Sequence, residues 1–366
     1  MVPDGFRVMS SLARPLRAAR SSAHVLAQSI GLDAVVSRSA WRRRRLLVLC
    51  YHGISIKDEH EWADLYISQA QLDRRLTALR KAGATVLPLE AALDLLSRNA
   101  LPPRAVSLTF DDGAYDFSAR AMPVLQAHSA STMLYLTTWY CFHRLPVFNT
   151  VSSYVLWKGR GGTFTLPGGQ SARVPTDSYA PEFSALHRRV IQLVTAAGMT
   201  ADEQNVVVQQ MSRQLGVDFD EICDRRMFHL MEPAELQALD RALVDIQLHT
   251  HRHRTPRDPL LFAKELVDNA AAIQTLLGPH RPLKHFCYPS GDYVAEFGDW
   301  LRMANIESAT TCDPGLVSRD SSPFFLPRII DSRSIPDSTF LAWVSGLAHF
   351  THRRRPAAID RFSAAR

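Results

Sequence analysis

The sequence contains no run of about 18 apolar residues, so hydropathy gives no membrane-spanning helix. Cysteine is scarce: Cys50, Cys141, Cys223, Cys287 and Cys312 are scattered, odd in number and form no C-x-x-C pair. This speaks against a zinc site built on sulfur and against a disulfide framework, and favours reduced thiols in a reducing compartment. A secretory leader is not recognisable. Asp4 falls where a basic n-region would lie, and Arg14, Arg17 and Arg20 interrupt any apolar h-region. Internal repeats and low-complexity tracts are absent too. The expected location is cytoplasmic, with the inner face of a membrane as a peripheral alternative.

Net charge is +6, but it is unevenly spread. Residues 1–45 hold nine arginines and two aspartates, a net +7, which leaves about −1 for the rest. The body is therefore not a basic nucleic-acid-binding surface. The stretch from Phe6 to Val36 suits an amphipathic helix with an arginine face. It reads either as a lead-in helix or as a peripheral contact with anionic lipid. Hydrophobic residues make up 46% of the chain, enough for a full core.

Short apolar runs alternate with helical patterns. Strands are expected at Leu46–Cys50, Ala84–Leu87, Val106–Phe110 and Thr132–Leu136. Helices fall between them, one starting at a Ser68 N-cap and stopping at Gly83. The rhythm breaks at about 139–240, read as a long, mainly helical insertion. It resumes with strands at Val244–Leu248, His285–Tyr288, Ser308–Thr311 and Leu326–Ile329. The predicted class is α/β: an incomplete (β/α)7 TIM-like barrel over 46–335, followed by a helix and basic tail over 336–366.

Polar residues recur where these strands end: His52, Asp111-Asp112, His249 to His253, Asp313 and Arg328. In a parallel barrel the strand C-termini share one face, so residues distant in sequence meet there. Adjacent carboxylates at a turn can splay to two partners, one for a cation and one for a proton. An acidic helix-capping turn is the plain alternative. His249 and His253 are four apart, which on a helical turn aims both imidazoles the same way, as a metal pair requires. His251 would then point elsewhere.

Leu108-Thr-Phe-Asp-Asp-Gly113 resembles the first signature of the polysaccharide deacetylases (the NodB-homology family, carbohydrate esterase family 4), and His249-Thr-His-Arg-His253 is similar to their second, His-[Ser/Thr]-x-x-His. The resemblance covers roughly 46–138 and 240–335. It implies an incomplete (β/α)7 barrel with Asp111 as general base. Asp112, His249 and His253 become ligands of a divalent metal, most often zinc, with cobalt or nickel as substitutes. The implied reaction is hydrolysis of an N-acetyl, sometimes O-acetyl, group on a saccharide, the metal polarising the carbonyl and acidifying water. A carbohydrate substrate follows, from exopolysaccharide or a lipid-linked precursor.

Two departures from the family pattern stand out. The segment Phe286-Cys-Tyr-Pro-Ser-Gly291 lacks the arginine that usually steadies the base, and Arg328 is the candidate replacement. A surface arginine is its plain alternative. The family's last signature, Leu-x-His, is missing, which leaves His52 as the candidate general acid, or else a histidine satisfied by backbone. Asp313 could orient the acid or simply form an Asp-Pro-Gly turn. A backbone N–H beside Tyr288 or Pro289 is the expected oxyanion donor. Trp139, Tyr140, Tyr154 and Trp157 stack on sugar rings or form the insertion's core. Rival readings are a saccharide-binding barrel without catalysis and a hydrolase of other C–N bonds.

Overall fold

The computed structural model describes residues 13–278 and 282–352, with side chains from residue 19 onward. The expected basic residues Arg7, Arg14 and Arg17, and the tail Arg353 to Arg355, lie outside the described side chains.

Eight parallel strands form one sheet: β1 Leu47–Tyr51, β2 Thr85–Val86, β3 Ala105–Phe110, β4 Thr132–Leu136, β5 Val244–Leu248, β6 His285–Cys287, β7 Ser308–Thr310 and β8 Ile329–Ile330. The order is β7-β6-β5-β4-β3-β1-β8, with the short β2 beside the first half of β3. Between β7 and β8 the ring is stitched only by a parallel bridge, Thr310 to Leu326. This is the incomplete barrel that the alternation predicts. Every residue of β1, β3 and β4 is buried, because both faces of such strands are covered.

The period of two along each strand sorts the side chains. Leu108 and Phe110 join the large core that the helices share with Leu47, Leu49 and Tyr51. Ser107, Thr109 and Asp111 take the opposite parity, and Thr109 donates to the carbonyl of Leu49 (2.9 Å). The same parity applied to β5 puts Gln247 and His249 together.

Helix starts follow local chemistry. Ser68 accepts from the N–H of Gln71 (3.1 Å) to cap Gln69–Lys81, as its sequence predicts. Asp258 caps Pro259–Leu277 in the same way, with proline at the first helical position.

The insertion holds helices Phe148–Lys158, Pro181–Ala196, Ala201–Leu215, Phe219–Asp224 and Pro233–Ala238. It also holds a hairpin, Thr163–Thr165 with Ser171–Arg173, that the mainly helical reading overlooked. The signal was present: Thr-Phe-Thr alternates just before Pro167-Gly168-Gly169, and both glycines adopt positive φ. Tyr154 and Trp157 sit in the insertion's own core with Phe164, Phe183 and Phe228, so packing explains those two aromatics. That core also takes in Trp62, from the loop after β1.

The insertion returns to the barrel at a critical place. Tyr115 N–H donates to the carbonyl of His229 (2.9 Å), and Met231 N–H donates to that of Gly113 (3.0 Å). The turn after β3 is thus tied to residues 229–231. Gly113 has φ +85°, and an added Cβ would lie 2.3 Å from Leu136 Cδ1. Gly113→Ala should therefore cost roughly 2–4 kcal/mol, from left-handed strain and overpacking together. Denaturant unfolding measures this; a loss below about 0.5 kcal/mol would mean the turn relaxes freely.

Candidate metal and catalytic site

β3 ends in a turn that separates its two carboxylates. Asp111 keeps the strand's parity and its N–H donates to the carbonyl of Tyr51 (3.0 Å). Asp112 then adopts φ +75°, which swings its side chain away from Asp111's. Asp111 is buried, whereas the side chain of Asp112 is 36% exposed.

Arg328 clamps Asp111. Its Nη1 donates to Oδ1 and its Nη2 to Oδ2, both at 2.7 Å, while Nε donates to the carbonyl of Thr311 (2.9 Å) and Nη1 also to Thr109 Oγ1 (3.0 Å). The guanidinium is fully buried, so it is no surface arginine. Burial by itself would raise the Asp111 carboxyl. The charge and hydrogen bonds of Arg328 outweigh that and hold it well below the usual carboxylate range. Three thiols complete the enclosure. Cys50 and Cys287 Sγ each lie 3.5 Å from Asp111 Oδ2, and Cys312 Sγ is 3.9 Å from Arg328 Nη2. Burial pushes the Cys312 thiol up to about 12, so it stays neutral beside the pair.

The two histidines converge without a helix. Thr250 (φ +60°) and His253 (φ +52°) are left-handed, and the segment is a loop, not the helical turn that a four-residue spacing suggested. Both Nε2 atoms still reach Asp112 Oδ1, at 3.2 Å from His249 and 3.0 Å from His253. Buried Glu265 shapes this loop: it accepts from Arg252 N–H (2.8 Å) and Arg254 Nε (2.7 Å), and its carbonyl accepts from His251 N–H (3.2 Å). Buried Asn269 accepts from His249 N–H (2.9 Å) and donates to the carbonyl of Leu136 (3.0 Å). His251 turns away and pairs through Nδ1 with Thr138 Oγ1 (2.8 Å).

The donor set suits a divalent cation. Ligand atoms of Asp112, His249 and His253 lie within 4.8 Å of one another. Bonds of about 2.0–2.1 Å from a tetrahedral centre put ligand atoms about 3.3 Å apart. The observed 3.0 and 3.2 Å separations are close to that edge. His249 Nδ1 lies 2.8 Å from the carbonyl of Cys287. A carbonyl accepts only, so Nδ1 carries the proton and Nε2 keeps its lone pair for a metal. Burial lowers His253, which favours its neutral, ligating form.

A cavity of about 210 Å3 opens over this cluster. Its floor includes Asp111, Asp112, His52 and His253. Its wall is aromatic: Trp62 and Tyr66 from the loop after β1, and Tyr140 and Phe228 from the insertion. Trp62 and Phe228 meet edge to face at 5.5 Å. Trp62, Tyr66 and Phe228 were not singled out in the sequence. A Trp and a Tyr on a strand-to-helix loop could have been a signal, since barrel sites are built from those loops.

His52 lines the cavity with Nε2 3.7 Å from Asp111 Oδ2, near the base but beyond hydrogen-bonding range. Five other expected residues do not line the cavity: Arg328 and His249 hold Asp111 and Asp112 from behind, and Asp313, Tyr288 and Pro289 are engaged elsewhere. Asp313 accepts a hydrogen bond from the Tyr293 hydroxyl, and its carbonyl accepts from Arg328 N–H (3.0 Å); its carboxylate therefore orients no acid here. Tyr288 is packed among Phe286, Phe297 and Phe325, with its hydroxyl on the carbonyl of Phe324 (3.0 Å). Its N–H is committed to the carbonyl of Thr310 (3.3 Å), and Pro289 has none, so an oxyanion donor at this turn would have to come from a residue beside them.

No family model matches the chain, and no curated protein matches it. Among solved structures it is similar to the Streptococcus pyogenes deacetylase PplD in complex with acetate (TM-score 0.53, 18% identity, covering 81% of this chain and 96% of that one). It is likewise similar to IcaB from Ammonifex degensii (TM-score 0.51, 19% identity, 82% and 97%). At these identities the likeness establishes a common fold. That fold is the incomplete barrel which the two sequence signatures imply.

Two outcomes test this geometry. Replacing Arg328 with Met leaves the Asp111 carboxylate buried and alone, which should cost about 3–5 kcal/mol. In the wild type Asp111's folded pKa is depressed. Its contribution is present above its unfolded value of about 3.9 and is lost as pH falls through the folded value. In Arg328→Met the burial effect dominates and raises the folded Asp111 carboxyl, so the variant's stability deficit should be largest near neutral pH and shrink as pH falls and Asp111 takes up its proton; a deficit that does not change with pH would contradict the pairing. Separately, zinc at about 100 times its Kd should stabilise the wild type by roughly 2.7 kcal/mol. The same addition should leave His249→Ala unmoved in a thermal-shift assay, and equal shifts in both proteins would place the ion elsewhere.

Proposed function

We propose that this chain is a metal-dependent hydrolase that removes N-acetyl groups from an amino-sugar-containing saccharide. The observation that carries this reading is the pairing of an ionised, arginine-held carboxylate with a separate carboxylate–histidine–histidine cluster at one cavity floor. A saccharide-binding barrel without catalysis has no need to hold a buried carboxylate charged beside a cation site.

Asp112, His249 and His253 would hold the ion, with zinc the best match to two imidazoles and one carboxylate, and cobalt or nickel as substitutes. Bound there, it would supply Lewis-acid polarisation of an acyl oxygen and a lowered pKa for water. The chain's own residues do the rest. An Asp111 oxygen and a His249 ring nitrogen lie within 4.8 Å of each other, so one water can touch both sides of the site. Asp111 takes a proton from that water. Arg328 keeps it ionised and fixed in direction, so that it stands ready to accept a proton. His52, which lines the cavity 3.7 Å from Asp111 Oδ2, supplies a proton to the departing amine. The aromatic wall of Trp62, Tyr66, Tyr140 and Phe228 suits the apolar face of a sugar ring and excludes bulk water.

The saccharide is inferred to belong to an exopolysaccharide or its precursor, the setting that the motif resemblance implies. Asp111→Asn should keep zinc, measured by metal analysis of the purified protein, and lose acetate release from N-acetylhexosamine oligomers by about 10²–10⁴-fold. Retention of full activity by this variant would remove Asp111 from the reaction. A wild type that binds zinc and saccharide without releasing acetate would leave the non-catalytic reading.

A further inference from the structure

The described part of the N-terminal segment forms three helices, Ala13–Ser29, Leu32–Arg38 and Ala40–Arg43. Their inner side is committed to the body. His24 is buried between Thr339 and Thr351 (3.1 and 2.8 Å), Gln28 donates to the carbonyl of Ser338 (2.9 Å), and buried Arg42 donates to carbonyls of Val344 and Arg45. Arg104 reaches Ser37 Oγ (2.7 Å), and Arg42 approaches the carbonyl of Ala105, where β3 begins. The segment therefore covers the N-terminal ends of the strands, the pole opposite the cavity.

Its outer side has the reverse character. Val25, Leu26, Ile30, Leu32 and Val35 are between 41% and 71% exposed. Of the fourteen large hydrophobic side chains exposed among the described residues, these five fall within eleven positions. Leu26 and Ile30 are four apart and Leu32 and Val35 three apart, so each pair lies on one side of its turn of chain. Exposed Arg38, Arg43 and Arg44 follow directly, and Asp33 is the one acidic residue among 13–45.

We propose that this outer face is a docking surface for an anionic lipid bilayer. Exposed apolar side chains followed by exposed arginines are what interfacial helices use: the apolar side chains enter the acyl boundary while guanidinium groups meet lipid phosphates. The charge distribution favours this occupant over another protein copy, because residues 1–45 carry +7 while the rest of the chain carries only about −1. The contact is interfacial: among the described residues no helix is long and apolar enough to cross a membrane. Docking through this pole turns the cavity away from the lipid. The inference stands independently of the hydrolase reading.

The test is flotation of the full chain with vesicles of phosphatidylglycerol and phosphatidylcholine in a one-to-two ratio, against phosphatidylcholine alone. The wild type should float with the mixed vesicles. Leu26→Glu/Ile30→Glu/Val35→Glu and, separately, Arg38→Gln/Arg43→Gln/Arg44→Gln should each reduce partitioning at least about tenfold. Circular dichroism and melting should be unchanged for both, since the substituted side chains are exposed. Absence of flotation by the wild type overturns the proposal, and if light scattering then shows a dimer abolished by the glutamate variant, the face belongs to a second copy. Equal flotation by wild type and both variants overturns it as well.

Discussion

Everything at the strand C-termini depends on one buried ion pair, Arg328 with Asp111. Two unit charges at about 4 Å attract by about 4 kcal/mol at an effective dielectric of 20, while taking each out of water costs several kcal/mol. The pair therefore adds little net stability. What it provides is position and charge state. Arg328 uses its Nε on the Thr311 carbonyl and both terminal nitrogens on Asp111, so the carboxylate plane is set by backbone from β7's end and by β3. It also joins the two sides of the barrel's weakest seam, since Arg328 immediately precedes β8. The side chain that holds Asp111 thus also ties the end of β7 to β3.

The shell around the pair is unusual in being sulfur-lined. Cys50, Cys287 and Cys312 surround it where water or hydroxyls would ordinarily solvate ions. Thiols are weak donors and pack like small apolar groups, so they exclude water without competing strongly for Asp111's lone pairs. A dry surround strengthens the hold of Arg328 on the carboxylate, because screening is least there. Three of the five scattered cysteines, uninformative when counted along the chain, fall at or just beyond the ends of β1, β6 and β7 and so share one location. Their spacing excluded a structural zinc site; only the barrel's geometry explains their company.

Much of the fold was legible because strand-helix alternation is a local signal. Runs such as Val106–Phe110 are fully buried and need no partner to be recognised. Strand-end convergence then predicted that Asp111, Asp112, His249 and His253 share a face, and the backbone brings them together. Arg328 was named because the family resemblance implies an arginine beside Asp111 and the segment around Tyr288 has none. What stayed hidden was long-range or conformational. His249 and His253 meet through two left-handed residues and the Glu265 anchor, so the expected convergence has a different cause. Tyr288 carried a family-like motif, yet its N–H was already spent on the sheet. Trp62 and Phe228 are 166 positions apart, and no periodicity within either segment reports that they touch.

The insertion is the part of the chain where sequence said least and structure says most about selectivity. It reaches the site by backbone bonds from 229–231 to Gly113 and Tyr115, the residues directly after the two aspartates. Its core extends without a break into Trp62 on the β1 loop. The aromatic wall and the metal-facing turn are therefore one mechanical unit. A substrate pressing on Phe228 or Trp62 bears on the same peptide units that hold Asp112 at positive φ. Two backbone hydrogen bonds join the wall to the turn that carries Asp112. Selectivity for one saccharide would in that arrangement be expressed in the placement of Asp112 as well as in direct contact, which is how a long insertion can tune chemistry without contributing a ligand of its own.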